Sequence, residues 1–261
     1  MRVIIAGGHG KIALHLTRRL VERGDVVRSL IRKPEQSDDI RESGAEPVLC
    51  DLELESADEL ARAVGAADAI VFAAGAGPGS GIARKETMDY GGAVKLIAAA
   101  KANGIGRYVM ISSIGADASA EGDDTFSVYL RAKGRADEEL AASGLDYTVV
   151  RPTRLSDEPG VGRVRIGEHL ERGSVAREDV AEVVATVLHE AAARGKTFEV
   201  IVALSPVRRR PPARRRPSPT VRNRPPCTAA CRCPWTTPTT RTFPPHHSAR
   251  RRRAMVPARQ Q

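Results

Sequence analysis

The stretch VIIAGGHGKIALHLTRRLVERGDVVRSLIRK, residues 3–33, constrains the fold more than any other feature of the chain. An apolar run leads into Gly7-Gly8-His9-Gly10, an amphipathic helical pattern follows, and a second apolar run closes at Ile31. Strand, glycine turn, helix and strand in about thirty residues form the βαβ unit of a parallel sheet. Inside it, Gly8-x-Gly10-x-x-Ala13 fits the pattern G-x-G-x-x-G/A, which binds dinucleotides when it sits between a strand and a helix. Gly7 and Gly8 are expected to let the chain turn sharply off the strand. Gly10 lets a pyrophosphate approach the backbone, and Ala13 lets the helix lie close to the sheet. The helix start at Lys11 and Ile12 then aims unpaired N–H groups and a positive dipole end at the phosphates.

The second strand ends in Arg32 and Lys33, with no carboxylate at its tip. NAD-selective sites place Asp or Glu there for the ribose 2′-hydroxyl. A guanidinium suits the 2′-phosphate instead, so NADP (NADPH) is the expected cofactor and NAD the lesser one.

Charge divides the chain in two. From Ser205 to Gln261 there are fifteen Arg, no Lys, no acidic residue, no Gly and twelve of the seventeen Pro. Removing those fifteen charges from the net +9 leaves residues 1–204 at −6, so the basic balance belongs to the tail alone. Residues 1–204 suffice for one α/β domain with a sizeable core. The tail cannot bury enough apolar surface to offset ordering entropy, and disorder is expected. Its arginine runs would bind nucleic acid only if the tail is genuine, and Arg without Lys beside abundant Pro, Thr and Cys looks like a GC-rich frame read out of register. Cys227, Cys231 and Cys233 with His246 and His247 do not match a zinc spacing, and no metal is expected. No stretch is apolar and long enough to span a membrane, and no signal peptide precedes the first strand. A cytoplasmic location follows as the expectation, with Cys50 a small buried hydrophobe.

Residues 1–204 alternate strand and helix throughout. Strands are expected at 3–6, 26–31, 47–50, 69–73, 108–112, 147–150 and 197–202, and helices at 11–23, 57–64, 82–103, 127–143 and 178–192. Gly24, Gly65, Gly104 and Gly144 stand where helices end. The expected fold is a single Rossmann-type, doubly wound parallel sheet with helices on both faces. Ligands of such sheets bind beyond the carboxyl ends of the strands.

At those ends, Asp51 could accept a hydrogen bond from an adenine amino group or simply cap a loop. Ala73, Ala74 and Gly75 would let the backbone pass against the adenine-side ribose and the nicotinamide half. Ser112 and Ser113 follow the fifth strand, and Tyr129 and Lys133 are spaced i, i+4, which puts them on one helix face. An ammonium beside a phenol favours phenolate, so Tyr129 could exchange a proton with a substrate oxygen while a serine hydroxyl polarises it. The other reading leaves Tyr129 packed and Lys133 solvated. Between residues 151 and 177, Arg154, Arg163, Arg165, His169 and Arg172 are candidates for substrate contact.

GGHGKIA, Arg32, Asp51-Leu52, AAGAG at 73–77, ISSIGAD at 111–117, YLRAK at 129–133 and Arg151-Pro152 together resemble the short-chain dehydrogenase/reductase superfamily. The resemblance is to its atypical NAD(P)H-binding, epimerase/dehydratase-like branch, and it covers nearly all of residues 1–202. It implies a single Rossmann domain and, usually, NADP. The Ser-Tyr-Lys set maps onto Ser113 (or Ser112), Tyr129 and Lys133, and Asp89 stands where the superfamily has an active-site Asn. The cofactor set is Gly7, Gly8, Gly10, Lys11, Ile12, Arg32, Asp51, Leu52, Ala73, Ala74, Gly75 and Lys133. The expected function is an NADPH-dependent oxidoreductase acting on a small carbonyl, quinone or flavin-like substrate, or a related epimerase or dehydratase. A non-catalytic NADP(H)-binding regulator acting through protein partners is the alternative.

Overall fold

The computed structural model describes residues 1–77 and 79–203. The arginine-rich tail, with its expected disorder, its cysteines and its histidines, lies outside the described residues.

The chain runs β1 (Arg2–Ala6), α1 (Lys11–Glu22), β2 (Val26–Ile31), α2 (Ser37–Glu42), β3 (Glu46–Leu49), α3 (Ala57–Val64), β4 (Ala69–Phe72) and α4 (Gly81–Arg84). A π-helical segment, Lys85–Gly92, joins α4 to α5 (Ala93–Ala102). Then follow β5 (Arg107–Ile111), α6 (Thr125–Ala142), β6 (Asp146–Pro152), β7 (Arg154–Ser156), β8 (Val164–Gly167), β9 (Ser174–Ala176), α7 (Arg177–His189) and β10 (Lys196–Val202). The main sheet has the order β3-β2-β1-β4-β5-β6-β10-β8, and β7 pairs with β9 in a separate ribbon.

The two-residue period of a strand divides the core. In β1, Val3 and Ile5 enter one cluster with Leu16 and Leu20 of α1 and Val180 and Val184 of α7. Ile4 and Ala6 enter the other, with Leu60 of α3, Leu96 of α5 and Leu140 of α6. Both faces of the sheet are therefore covered, and β4 at its centre is apolar throughout. The glycines expected to end helices do so in the left-handed region, from φ 57° at Gly65 to 85° at Gly24.

All seven expected strands form and pair parallel. The sheet is not wholly parallel, however, because β8 closes its edge antiparallel to β10, with Val200 opposite Ile166. Apolar residues number one of three in β7, two of four in β8 and two of three in β9, in strands too short for a clear pattern. The helix expected over 82–103 is interrupted by the π segment, which ends in Gly91-Gly92. Such π segments are rare and are frequently found at functional sites.

Strand order reverses between β1 and β4, which hydrogen-bond side by side while β2 and β5 lead away in opposite directions. A crevice opens there above the carboxyl ends of the strands.

Candidate functional site

Two clefts meet at the loop after β4. Both are lined by Ala73, Ala74 and Gly75. The first, about 240 Å³, is bounded by Gly7 and Gly10 of the glycine turn, Arg32 after β2, Asp51 and Leu52 after β3, and Arg84. The second, about 470 Å³, lies on the other side of that loop and holds Ile12, Lys85, Asp89, Ser112, Tyr129 and Lys133.

Each glycine of the turn has its own structural reason. Gly7 has φ +76°, and a Cβ there would stand 2.6 Å from Ala74 Cα, so the loops after β1 and β4 pack backbone to backbone. Gly8 does not use a positive φ, contrary to expectation. It is required by close approach, since a Cβ would lie 2.4 Å from Ser29 Cβ. At Gly10 a Cβ would meet the Gly7 carbonyl at 3.1 Å and fill the cradle. Gly10 is also the N-cap of α1 and offers no side-chain hydrogen bond, and the first turn carries no acidic residue. The first-turn N–H groups thus remain available to an anion. A dinucleotide pyrophosphate fits this cradle.

The other candidates for the cofactor fall around it. Arg32 is exposed at the rim and makes no side-chain hydrogen bond among the described residues. Asp51 Oδ1 accepts from the Glu53 N–H at 2.9 Å, the loop-capping role, while the residue still lines the first cleft. Leu52 is buried in the core beneath it. Lys11 turns outward to Asp157 Oδ2 at 2.6 Å, away from both clefts, whereas Ile12 lines the second. Burial, then Glu55 and Asp51, push the Cys50 thiol up to about 11, in keeping with an inert thiol at the floor of the first cleft.

Tyr129 and Lys133 lie one turn apart on α6, and both line the second cleft. Lys133 is 3% exposed. Its Nζ sits 3.3 Å from Asp89 Oδ1 and donates to the Ile111 carbonyl at 3.4 Å. Burial alone would lower its pKa, but Asp89, Tyr129 and Asp137 outweigh it and hold the ammonium above its ordinary value. Asp89 is 1% exposed, and its second oxygen accepts from the Ala76 N–H at 3.2 Å. One carboxylate therefore ties α6 to the loop after β4.

Ser112 reaches the second cleft, and Ser113 is not among its lining residues. Ser113 Oγ donates to the Ile114 carbonyl at 3.2 Å. Ser112 Oγ donates to Asp137 Oδ2 at 2.9 Å, and Arg151 Nε donates to the same oxygen at 2.8 Å. Burial raises the Asp137 pKa against the pull of Arg151 and Ser112. Asp137 was not anticipated from sequence, although it continues the Tyr129–Lys133 spacing by one more turn. Arg84 and Lys85 were likewise missed. Arg84 grips Glu53 Oε2 at 2.6 Å in the first cleft wall, and Lys85 is buried in the second. Of the segment between β6 and α7, Leu155 lines the second cleft, while Arg165 pairs with Glu171.

The NAD(P)H-binding family matches residues 7–191. The chain belongs to that family. Its cofactor is accordingly a nicotinamide dinucleotide. It is 37% identical over 208 residues to a Bacillus subtilis protein named as an uncharacterized sugar epimerase, covering 79% of this chain and 97% of that one. A Bacillus halodurans structure, named as a candidate NAD-dependent epimerase/dehydratase, aligns with a TM-score of 0.73 at 39% identity, covering 79% of this chain and 96% of that one. A Lactococcus lactis oxidoreductase aligns with a TM-score of 0.67 at 25% identity, covering 78% and 91%. These relatives place the chain in the atypical epimerase/dehydratase-like branch that its motifs resemble. No helix among the described residues is long and apolar enough to cross a membrane.

Proposed function

We propose that the protein is an NADP(H)-dependent oxidoreductase of the short-chain dehydrogenase/reductase type, acting on a small carbonyl, quinone or flavin-like substrate. The observation that carries this reading is the sharing of one cleft by Tyr129, buried Lys133 and the loop at Ala73–Gly75 that also borders the dinucleotide cradle. When bound across the glycine turn and the loop at Ala73–Gly75, the nicotinamide cofactor would supply or receive a hydride. In the reducing direction the Tyr129 hydroxyl gives its proton to the substrate oxygen, and the Lys133 ammonium stabilises the phenolate left behind. Asp89 keeps that ammonium charged and in place. Ser112 is the hydroxyl nearest this role, with its own proton directed to Asp137.

NADP is favoured over NAD by the exposed Arg32 guanidinium at the cleft rim and by the lack of a carboxylate at the tip of β2. Calorimetric titration of the full chain with NADPH and NADH tests both points. Tight binding of NADPH over NADH supports the reading, and binding of neither refutes it.

The regulator reading draws on one observation. Asp89 replaces the Asn of the superfamily, and it commits Lys133 to an ion pair. Tyr129→Phe separates the two. An oxidoreductase loses turnover while NADPH still binds, whereas a regulator keeps its NADPH response and its partners.

A further inference from the structure

We propose that Lys85 forms an anion subsite in the second cleft, and that the substrate carries a carboxylate in addition to its reacting carbonyl. The proposal rests on reading this cleft as the substrate side. Lys85 is only 7% exposed, yet it has no carboxylate partner among the described residues. Its Nζ donates one hydrogen bond, to the Gly77 carbonyl at 2.8 Å, and stands 5.4 Å from the centre of the Tyr129 ring. The neighbouring carboxylates are engaged elsewhere. Glu86 accepts from Arg135 at 2.8 Å, and Asp89 holds Lys133 at 3.3 Å. Lys85, Lys133 and Asp89 are the charged groups lining this cleft, which leaves one cation in excess.

This largely buried ammonium has one carbonyl and the face of the Tyr129 ring as its partners and no counter-ion among the described residues, an arrangement that favours an anion in the cleft. A ligand carboxylate would bring the missing charge. Lys85 Nζ stands over the Tyr129 ring, so that anion would bind against the face of the tyrosine. Ile12, Ile111, Leu155 and the ring of Phe126 give apolar wall, with the hydroxyls of Ser112 and Thr125 as uncharged polar groups. Phe126 is 63% exposed, and its ring lies 6.2 Å from that of Tyr129 at a tilt of 31°, which leaves two aromatic faces for a flat, aromatic body.

The test compares 4-formylbenzoate with its methyl ester by calorimetry on the full chain, with and without NADPH. The acid is expected to bind wild type about tenfold more tightly than the ester. Lys85→Met should abolish that preference and Lys85→Arg should retain it, with NADPH titration of each variant reporting that the fold is intact. Equal affinity of wild type for acid and ester, or a preference that survives Lys85→Met, overturns the subsite. Failure of NADPH to bind wild type would refute the cofactor reading separately, and the cofactor-free titrations would still report on Lys85.

Discussion

Replacing Asp89 by the Asn of the superfamily should destabilise this protein, even though the change is nearly isosteric. The carboxylate serves two donors at once, the Ala76 N–H on one oxygen and the Lys133 ammonium on the other. An amide has a single acceptor oxygen, so Asp89→Asn must turn an NH₂ group toward one of the two donors. Both side chains of the pair are almost fully buried, and removing one partner of such a pair costs about 3–5 kcal/mol. That is a large share of a domain stability of about 5–15 kcal/mol, and it corresponds to a fall in Tm on the order of 10 °C. Urea unfolding of wild type, Asp89→Asn, Lys133→Met and the double variant measures it. The double variant should be less destabilised than the two single losses added together, because no charge is left unpaired. The pH dependence has a definite sign. Lys133 titrates above its ordinary 10.5 in the folded state, so the contribution of the pair is complete below that pH. It is lost as pH rises through the folded-state value, and the penalty of Asp89→Asn should shrink in strongly alkaline buffer. A penalty below about 1 kcal/mol at neutral pH, or strict additivity in the double variant, would refute the reasoning.

Tyr129→Phe should lower turnover by about 10²–10⁴-fold while NADPH affinity in the same preparation stays within error of wild type. Arg32→Ala should weaken NADPH by about tenfold or more and leave NADH affinity little changed, as read by calorimetry. Arg107→Met should destabilise by about 2–4 kcal/mol in urea, because its buried guanidinium donates to the Val187 carbonyl at 2.5 Å and to Thr148 Oγ1 at 2.9 Å. Asp25 accepts from the N-terminal ammonium at 2.6 Å and contacts His189 at 2.9 Å; burial opposes these partners, yet its pKa is lowered. The stability lost in Asp25→Asn should therefore be seen above pH 3.8 and vanish as pH falls through the folded-state value, measured by Tm against pH.

Much of the fold was legible because the βαβ pattern repeats and its periods are clean, as in β1, whose alternate residues enter opposite cores. The glycine turn and the Tyr129–Lys133 pair were legible for the same reason: local spacing determines both. What sequence could not show depends on segments that meet only after folding. Lys85 reaches Tyr129 across forty-four positions of chain, and nothing local marks it as buried. Ser112 and Ser113 differ by one residue at the end of β5, where successive side chains point to opposite faces. The register of that last pleat decides which hydroxyl meets the cleft. Asp137 did leave a signal, as the third member of an i, i+4, i+8 stripe, but a carboxylate four residues from a lysine reads first as a surface ion pair.

The π segment and its boundary supply side chains that converge on the loop after β4. Arg84, at its boundary, donates to the Ala76 carbonyl at 3.4 Å, Lys85 donates to the Gly77 carbonyl at 2.8 Å, and Asp89 accepts from the Ala76 N–H at 3.2 Å. Three side chains within six residues thus hold one short loop, and that loop forms a wall of both clefts. A regular α-helix places residues i and i+4 about 40° apart and i+5 well off that face. Lys85 and Asp89 are spaced i, i+4 and so share a face, and both point at the loop while Glu86 turns away to Arg135. Deleting one residue of Gly91-Gly92 should turn the segment by about 100° against α5 and carry all three anchors off the loop at once, so both clefts should lose their shared wall, read as the joint loss of NADPH binding and turnover.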